Sequence, residues 1–326
     1  MSPQLSFVTL DVFTSTRYTG NPLALVKVPQ RVTLSQSQKQ CIAREFNLSE
    51  TVFLHEQTPA DRDVDDHAVR VDIFTAHAEV PFAGHPTVGA ANYLLRLGGD
   101  DDDDGAASKK QVKALRAKAG RIPIVLNPAA ANGVQISVAH DLHVHTSRPY
   151  AETPLAHHPV VSIVKGMTFI LARLPDLAAL AAATESLIEP NATYTAATTD
   201  LLDEGWREGL VVTYFFVDEQ PSPQLSKDET SVRTLRTRCL GEREDPATGS
   251  AACALTAYLS LQAGKAGRYR YAIVQGVEMG QRSEIYVEVG VRAASHDGRL
   301  QIEEVLLSGS AVQVMQGSLV VPAPED

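Results

Sequence analysis

The chain is poor in cysteine and tryptophan: Cys41, Cys239 and Cys253 and a single Trp stand among 326 residues. The cysteines are odd in number, far apart and form no Cys-x-x-Cys pair, which excludes a disulfide framework and a four-cysteine zinc site. That usage fits a reducing, cytoplasmic compartment. Long apolar runs are also missing. No segment reaches the roughly 18 uninterrupted apolar residues of a membrane-spanning helix, and residues 1–9 lack the basic start and apolar stretch of a secretory signal. No membrane association is expected. Neither a P-loop nor a GxGxxG fingerprint occurs, so a nucleotide cofactor finds no support.

Positive charge is in deficit as well, with 29 Lys and Arg against 39 Asp and Glu and a formal charge of -10. The aspartate run at 100–104 supplies much of this excess, leaving about -5 on the rest of the chain. A nucleic-acid partner is therefore not expected. A small anionic substrate is not excluded, because a site made of helix N-termini is locally positive.

What is present is ordinary for a globular protein, 44% hydrophobic and 21% charged. A chain of this length exceeds the size at which one core keeps growing, so two domains are expected, 1–122 and 123–310, with a last strand near 311–320 that returns to the first. Strand patterns dominate. Val69, Val71 and Ile73 alternate with Arg70 and Asp72, Val134, Ile136 and Val138 with Gln135 and Ser137, and Ile285, Val287 and Val289 with Glu284, Tyr286 and Glu288. Residues 5–13, 51–55, 210–217 and 310–315 are further strand candidates. Spacing predicts helices over 33–46, capped by Thr33, and over 175–183. The run at 100–104 reads as a solvated loop.

Two more helices begin at motifs of one type. Glu79-Val80-Pro81-Phe82-Ala83-Gly84-His85-Pro86-Thr87 leads into a helix with Val88, Ala91 and Leu95 on one stripe; Glu244-Asp245-Pro246-Ala247-Thr248-Gly249-Ser250 leads into one with Ala252, Leu255 and Leu259. Small residues and proline in a first turn leave backbone N–H groups open to a ligand, which makes each terminus an anion cradle. The repetition points to two related halves. Each helix is read as the centre of a curved sheet.

Three residues carry candidate chemistry. Glu50 stands where a helix has ended and the strand with Val52, Phe53 and Leu54 begins; partly desolvated there, it suits a base that must return its proton. His85 lies in the first turn of a helix, where a cation opposes the dipole, so a neutral hydrogen-bonding role is expected. Asp245 reads on local pattern as a helix cap. His143 and His145 share one strand face, but a zinc site needs a third protein ligand, for which only His157 or His158 suggests itself. No metal is expected.

Together with Asp11-Val12-Phe13-Thr14, Gly20-Asn21-Pro22-Leu23-Ala24, Ala43-Arg44-Glu45-Phe46-Asn47-Leu48-Ser49-Glu50-Thr51 and Gln275-Gly276 with Met279-Gly280, these motifs resemble the PhzF-like family. That family is named for an isomerase of phenazine biosynthesis and is related in fold to diaminopimelate epimerase. The resemblance implies an α+β fold of two similar barrel-like domains, each a curved sheet around a central helix, with the active-site cleft between them, and a homodimer. It implies that the glutamate matching Glu50 moves a proton between carbons of a small cyclic carboxylate such as trans-2,3-dihydro-3-hydroxyanthranilate, without cofactor or metal. Positions matching His85, Asp245 and Ser250 hold and polarise the substrate, and backbone N–H groups at Gly84, Gly249 and Ser250 receive its oxygens.

Departures bear on chemistry. Related epimerases place a cysteine on each side of the substrate, whereas none of the three cysteines lies at either helix start, which disfavours two-base racemisation. Ala76 stands where the family usually has proline. Two other classes compete: a non-catalytic binding or regulatory protein that keeps the fold, and a metal enzyme built on His143 and His145.

Overall fold

The computed structural model describes residues 3–57, 67–98, 112–127, 133–146, 157–189, 202–207, 209–219, 231–294 and 298–323. The aspartate run at 100–104 lies outside them. The chain opens with strands β1 (Gln4–Val12) and β2 (Asn21–Val28), helix α1 (Gln36–Phe46), strands β3 (Thr51–His55), β4 (Ala68–Phe74) and β5 (Glu79–Val80), and helix α2 (Gly84–Asn92). Strands β6 (Ala114–Ala117), β7 (Gly120–Leu126), β8 (Val134–Ser137), β9 (His143–Val144), β10 (Val160–Val164) and β11 (Gly166–Arg173) follow, then helix α3 (Leu177–Ala182). The remainder is β12 (Gly209–Asp218), β13 (Val232–Leu240), β14 (Glu244–Asp245), helix α4 (Gly249–Gln262), β15 (Gly267–Gln275), β16 (Ser283–Ala293), β17 (Leu300–Gly309) and β18 (Ala311–Val320).

Two compact units result, Met1–Ser137 with Ser308–Asp326, and Val138–Leu307. The division falls later than 122/123, and β7, which spans that point, pairs with both β6 and β8. In the first unit β18 pairs antiparallel with β1, β1 with β2, β2 parallel with β3, β3 antiparallel with β4, and β4 parallel with β6. In the second, β10 pairs antiparallel with β11, β11 parallel with β12, β12 antiparallel with β13, and β13 parallel with β15, which pairs antiparallel with β16. Taken from β1–β2 and from β10–β11, and with β6–β7 antiparallel, the orders match step for step. In each unit a short antiparallel strand, β5 or β14, leads directly into the long helix.

Each sheet wraps its helix. β1, β2, β3, β8 and β18 all pack on α2, and β10, β11, β15 and β16 on α4, which a flat sheet could not do. Every residue of α2 is buried. Small side chains permit the approach: a Cβ at Gly89 would collide with Leu23 Cδ2 of β2. Leu95 is only partly buried because the helix loosens after Asn92 into a π turn (Tyr93–Leu97), closed by the Gly98 N–H on Tyr93 O at 2.8 Å. A separate apolar cluster holds α1 to the first sheet, with Ile42, Leu34, Val26, Phe53 and Phe74 buried together. Burial of each such side chain contributes roughly 1.5–3 kcal/mol.

Three details differ from the sequence reading. Helix α1 starts later than Thr33, because Ser35 and Gln38 form a reciprocal capping box. Helix α3 is shorter than 175–183, since the Asp176 carboxylate accepts the Ala179 N–H at 2.8 Å and fixes the start. Asp72, on the polar side of its strand by pattern, is 7% exposed because α1 covers it and Lys39 Nζ reaches it at 2.6 Å. Among the described residues no helix is long and apolar enough to cross a membrane.

Candidate active site

In the first unit a helix end delivers the acid. Asn47 takes the left-handed conformation (φ 49°) that asparagine tolerates, and its N–H closes α1 on Ala43 O at 3.1 Å. The chain then turns into β3, whose first residue Thr51 is pinned on both sides, by Ala24 of β2 and Phe74 of β4. Glu50 is held immediately before that fixed point.

Helix α2 opens beside it. The residue before the helix is Ala83, extended and without a side chain able to cap, so no side chain covers the N–H groups of the first turn. His85 is the second residue of α2 and only 3% exposed. Its Nδ1 stands 2.9 Å from Glu50 Oε2. That distance suits an ion pair, yet the approach is not aligned as a hydrogen bond: Glu50 Oε2 and His85 Nε2 are both buried and find no hydrogen-bond partner among the described residues. Buried polar atoms are normally satisfied. Two adjacent orphans beside an uncapped helix N-terminus form a place where a ligand can supply the missing bonds.

The second unit repeats the helix start with different side chains. Thr248, not Asp245, occupies the cap position of α4, and it too makes no side-chain bond to the helix N–H groups. The capping role read for Asp245 is not realised. Its carboxylate instead accepts the Thr248 hydroxyl at 2.6 Å. Gln275 ties the motif together, donating Nε2 to Asp245 O at 2.8 Å and accepting the Thr248 N–H at 3.2 Å on Oε1. Tyr214, fully buried, donates to the same Oε1 at 3.0 Å. Next to it Gly276 has φ +74°, and a Cβ there would lie 2.7 Å from Pro246 O. Glycine is thus required where the strand end meets the motif.

Glu50, Gly84 and His85 come together in the first unit, and Asp245, Gly249 and Ser250 in the second. Thr248, Tyr214 and the role of Gln275 escaped sequence reasoning. The signal available was Gln275-Gly276 itself, a polar–glycine pair closing an otherwise apolar strand.

Cysteine chemistry is not supported by either thiol of the second unit. Cys239 and Cys253 are both buried, and burial pushes the Cys253 thiol far above its ordinary value. The third member of the His143–His145 group is Asp203, not His157 or His158. His145 has both nitrogens engaged: Nδ1 accepts the Asp203 N–H at 3.0 Å and Nε2 meets Ser162 Oγ at 2.8 Å. His143 Nε2 bonds Asp203 Oδ2 at 2.9 Å, and its ring stacks on Trp206. Those bonds explain the group as a strut holding residues 202–206 to β9 and β10.

Residues 10–317 match the family described as phenazine biosynthesis-like protein. An uncharacterized isomerase of Mesorhizobium japonicum is 29% identical over 97% of this chain and 99% of its own. The trans-2,3-dihydro-3-hydroxyanthranilate isomerase of Pseudomonas chlororaphis is 27% identical over 97% of this chain and 99% of its own. Among solved structures, a PhzF-family phenazine biosynthesis protein of Bacillus anthracis superposes with a TM-score of 0.65 at 18% identity, covering 98% of this chain and 100% of that one. The likeness shows a diaminopimelate epimerase-like α+β fold.

Proposed function

The chain belongs to the phenazine biosynthesis-like protein family and is an isomerase, and on that premise we propose that Glu50 moves a proton between two carbons of a small cyclic or amino-acid-like carboxylate. The observation that carries this reading is the Glu50–His85 pair, 2.9 Å apart with Glu50 Oε2 and His85 Nε2 both buried and without a hydrogen-bond partner among the described residues. A fold needs neither orphan; a bound substrate gives each a partner.

The chemistry balances without an external reagent. The Glu50 carboxylate takes a proton from an activated carbon, and the electron pair left behind spreads through the conjugated substrate. Glu50, now a carboxylic acid, returns that proton to a second carbon, so no atom or electron is gained or lost. A single positioned acid/base of this kind contributes typically 10²–10⁴-fold. Charge developing on substrate oxygen meets fixed donors, namely His85 Nε2 when that nitrogen carries the proton and the N–H groups of Gly84 and His85 at the start of α2. In the second unit, this reading gives Asp245 the role of accepting from an amino group and the Gly249 and Ser250 N–H groups that of receiving an oxygen.

The substrate is taken to be trans-2,3-dihydro-3-hydroxyanthranilate or a close analogue, on the strength of the Pseudomonas chlororaphis relative's name. Incubating that compound with the full chain in D₂O and following it by NMR tests the reading. Conversion with deuterium entering a carbon position supports it. Conversion of other carboxylates in a panel, with this one untouched, replaces the substrate and keeps the mechanism; no exchange in any compound refutes both.

A further inference from the structure

The far end of β3 borders a cavity of about 450 Å³, lined among others by Leu34, Lys39, His55, Gln57, Arg70 and Arg116. All six belong to the first unit. Glu50 precedes β3 and His55 ends it, so the two Cα atoms are separated by five strand steps, roughly 16 Å. The cavity is therefore not the site that contains Glu50.

Its charge arrangement is unusual. One carboxylate, Asp72, serves three bases: Lys39 Nζ at 2.6 Å and His55 Nε2 at 2.7 Å on Oδ2, and Arg70 Nε at 3.3 Å on Oδ1. Lys39 is 5% exposed and Asp72 7%, so water does little to screen them. Burial alone would raise the Asp72 carboxyl, but hydrogen bonds from His55 and Lys39 hold it well below the usual range, and it stays charged. Asp72 lies behind the lining; Glu56, an acid on the lining itself, is exposed and accepts the Gln30 N–H at 3.0 Å. An ammonium has three donors, and among the described residues the Lys39 ammonium gives one to Asp72. A buried cation that shares its counter-ion with two other bases favours a further anion.

We propose that this cavity binds a small anion carrying a phosphate or carboxylate group, held by Lys39 and the guanidinium groups of Arg70 and Arg116. The walls suit such a guest. Gln30 and Gln57 are already spent on Gln57 O and Ala68 O, at 2.6 and 2.9 Å, and so form a fixed polar rim. Val28, Val32 and Leu34 supply an apolar side for the body of a ligand.

Calorimetric titration of the full chain with inorganic phosphate and, separately, with citrate at low ionic strength tests the site. One-site saturable binding of either probe is expected, weakened about tenfold or more by Arg70→Ala and by Arg116→Ala, the range for loss of a charged hydrogen bond. Glu50→Gln leaves it unchanged. The tighter probe identifies the preferred anion. Absence of saturable binding for both probes overturns the proposal, as does binding that Glu50→Gln abolishes and the arginine variants do not affect.

Discussion

The Asp245 carboxylate accepts the Thr248 hydroxyl at 2.6 Å, and Gln275 clamps both residues by bonding Asp245 O and the Thr248 N–H. The acid thus orients the residue that begins α4 and leaves the helix N–H groups uncapped. Replacing Gln275 by Leu removes the acceptor of the Thr248 N–H and the amide donor to Asp245 O, and leaves the Tyr214 hydroxyl with Thr237 Oγ1 alone. A loss of about 2–4 kcal/mol is expected from such unpaired groups, measured by urea unfolding. Gln275→Glu, which keeps the acceptor, is expected to lose less; equal losses would show that the side chain acts through packing alone.

In the first unit His85 Nδ1 stands 2.9 Å from Glu50 Oε2. Asparagine there cannot reproduce both ring nitrogens, so His85→Asn is expected to lower kcat on the order of 100-fold. Steady-state kinetics check this, with near-ultraviolet circular dichroism to confirm that the buried site still folds. A variant with unaltered kcat would remove His85 from the proposed chemistry.

The buried His145 makes stability depend on pH. Burial, assisted by the neighbouring His143 charge, lowers its pKa from 6.5 to about 4. In the unfolded chain the imidazole binds its proton below pH 6.5, whereas in the folded protein it does so only near pH 4. Its contribution is complete above pH 6.5 and is lost as pH falls toward 4. Between pH 7 and pH 4.5 the loss from this residue is about 2 kcal/mol. Urea unfolding at the two pH values should show a drop larger by that amount in the wild type than in His145→Gln; equal drops would contradict the assignment.

Much of this architecture is legible in the sequence, for a physical reason. Alternation such as Ile285–Val289 follows from one buried face per strand, and the two helix starts advertise themselves through proline and small residues. Glu50 is readable because Asn47 marks a helix end and Val52 a strand start. What is hidden depends on contacts distant in sequence. Asp72 looks solvent-facing until Lys39, 33 residues away, is placed over it. Asp203 completes the group of His143 and His145 from 58 residues beyond His145. Asp245 is misread as a cap because local pattern cannot show that Gln275, 30 residues on, holds Thr248 in that position.

The most direct test of the account is deuterium incorporation by the wild type and by Glu50→Gln, each incubated in D₂O with trans-2,3-dihydro-3-hydroxyanthranilate and followed by proton NMR. Exchange at a carbon position and conversion are expected with wild type. With Glu50→Gln the expected rate is lower by about 10²–10⁴-fold, at a thermal midpoint within a few degrees of wild type. Exchange by Glu50→Gln at the wild-type rate would contradict the assignment of Glu50 as the group that carries the proton.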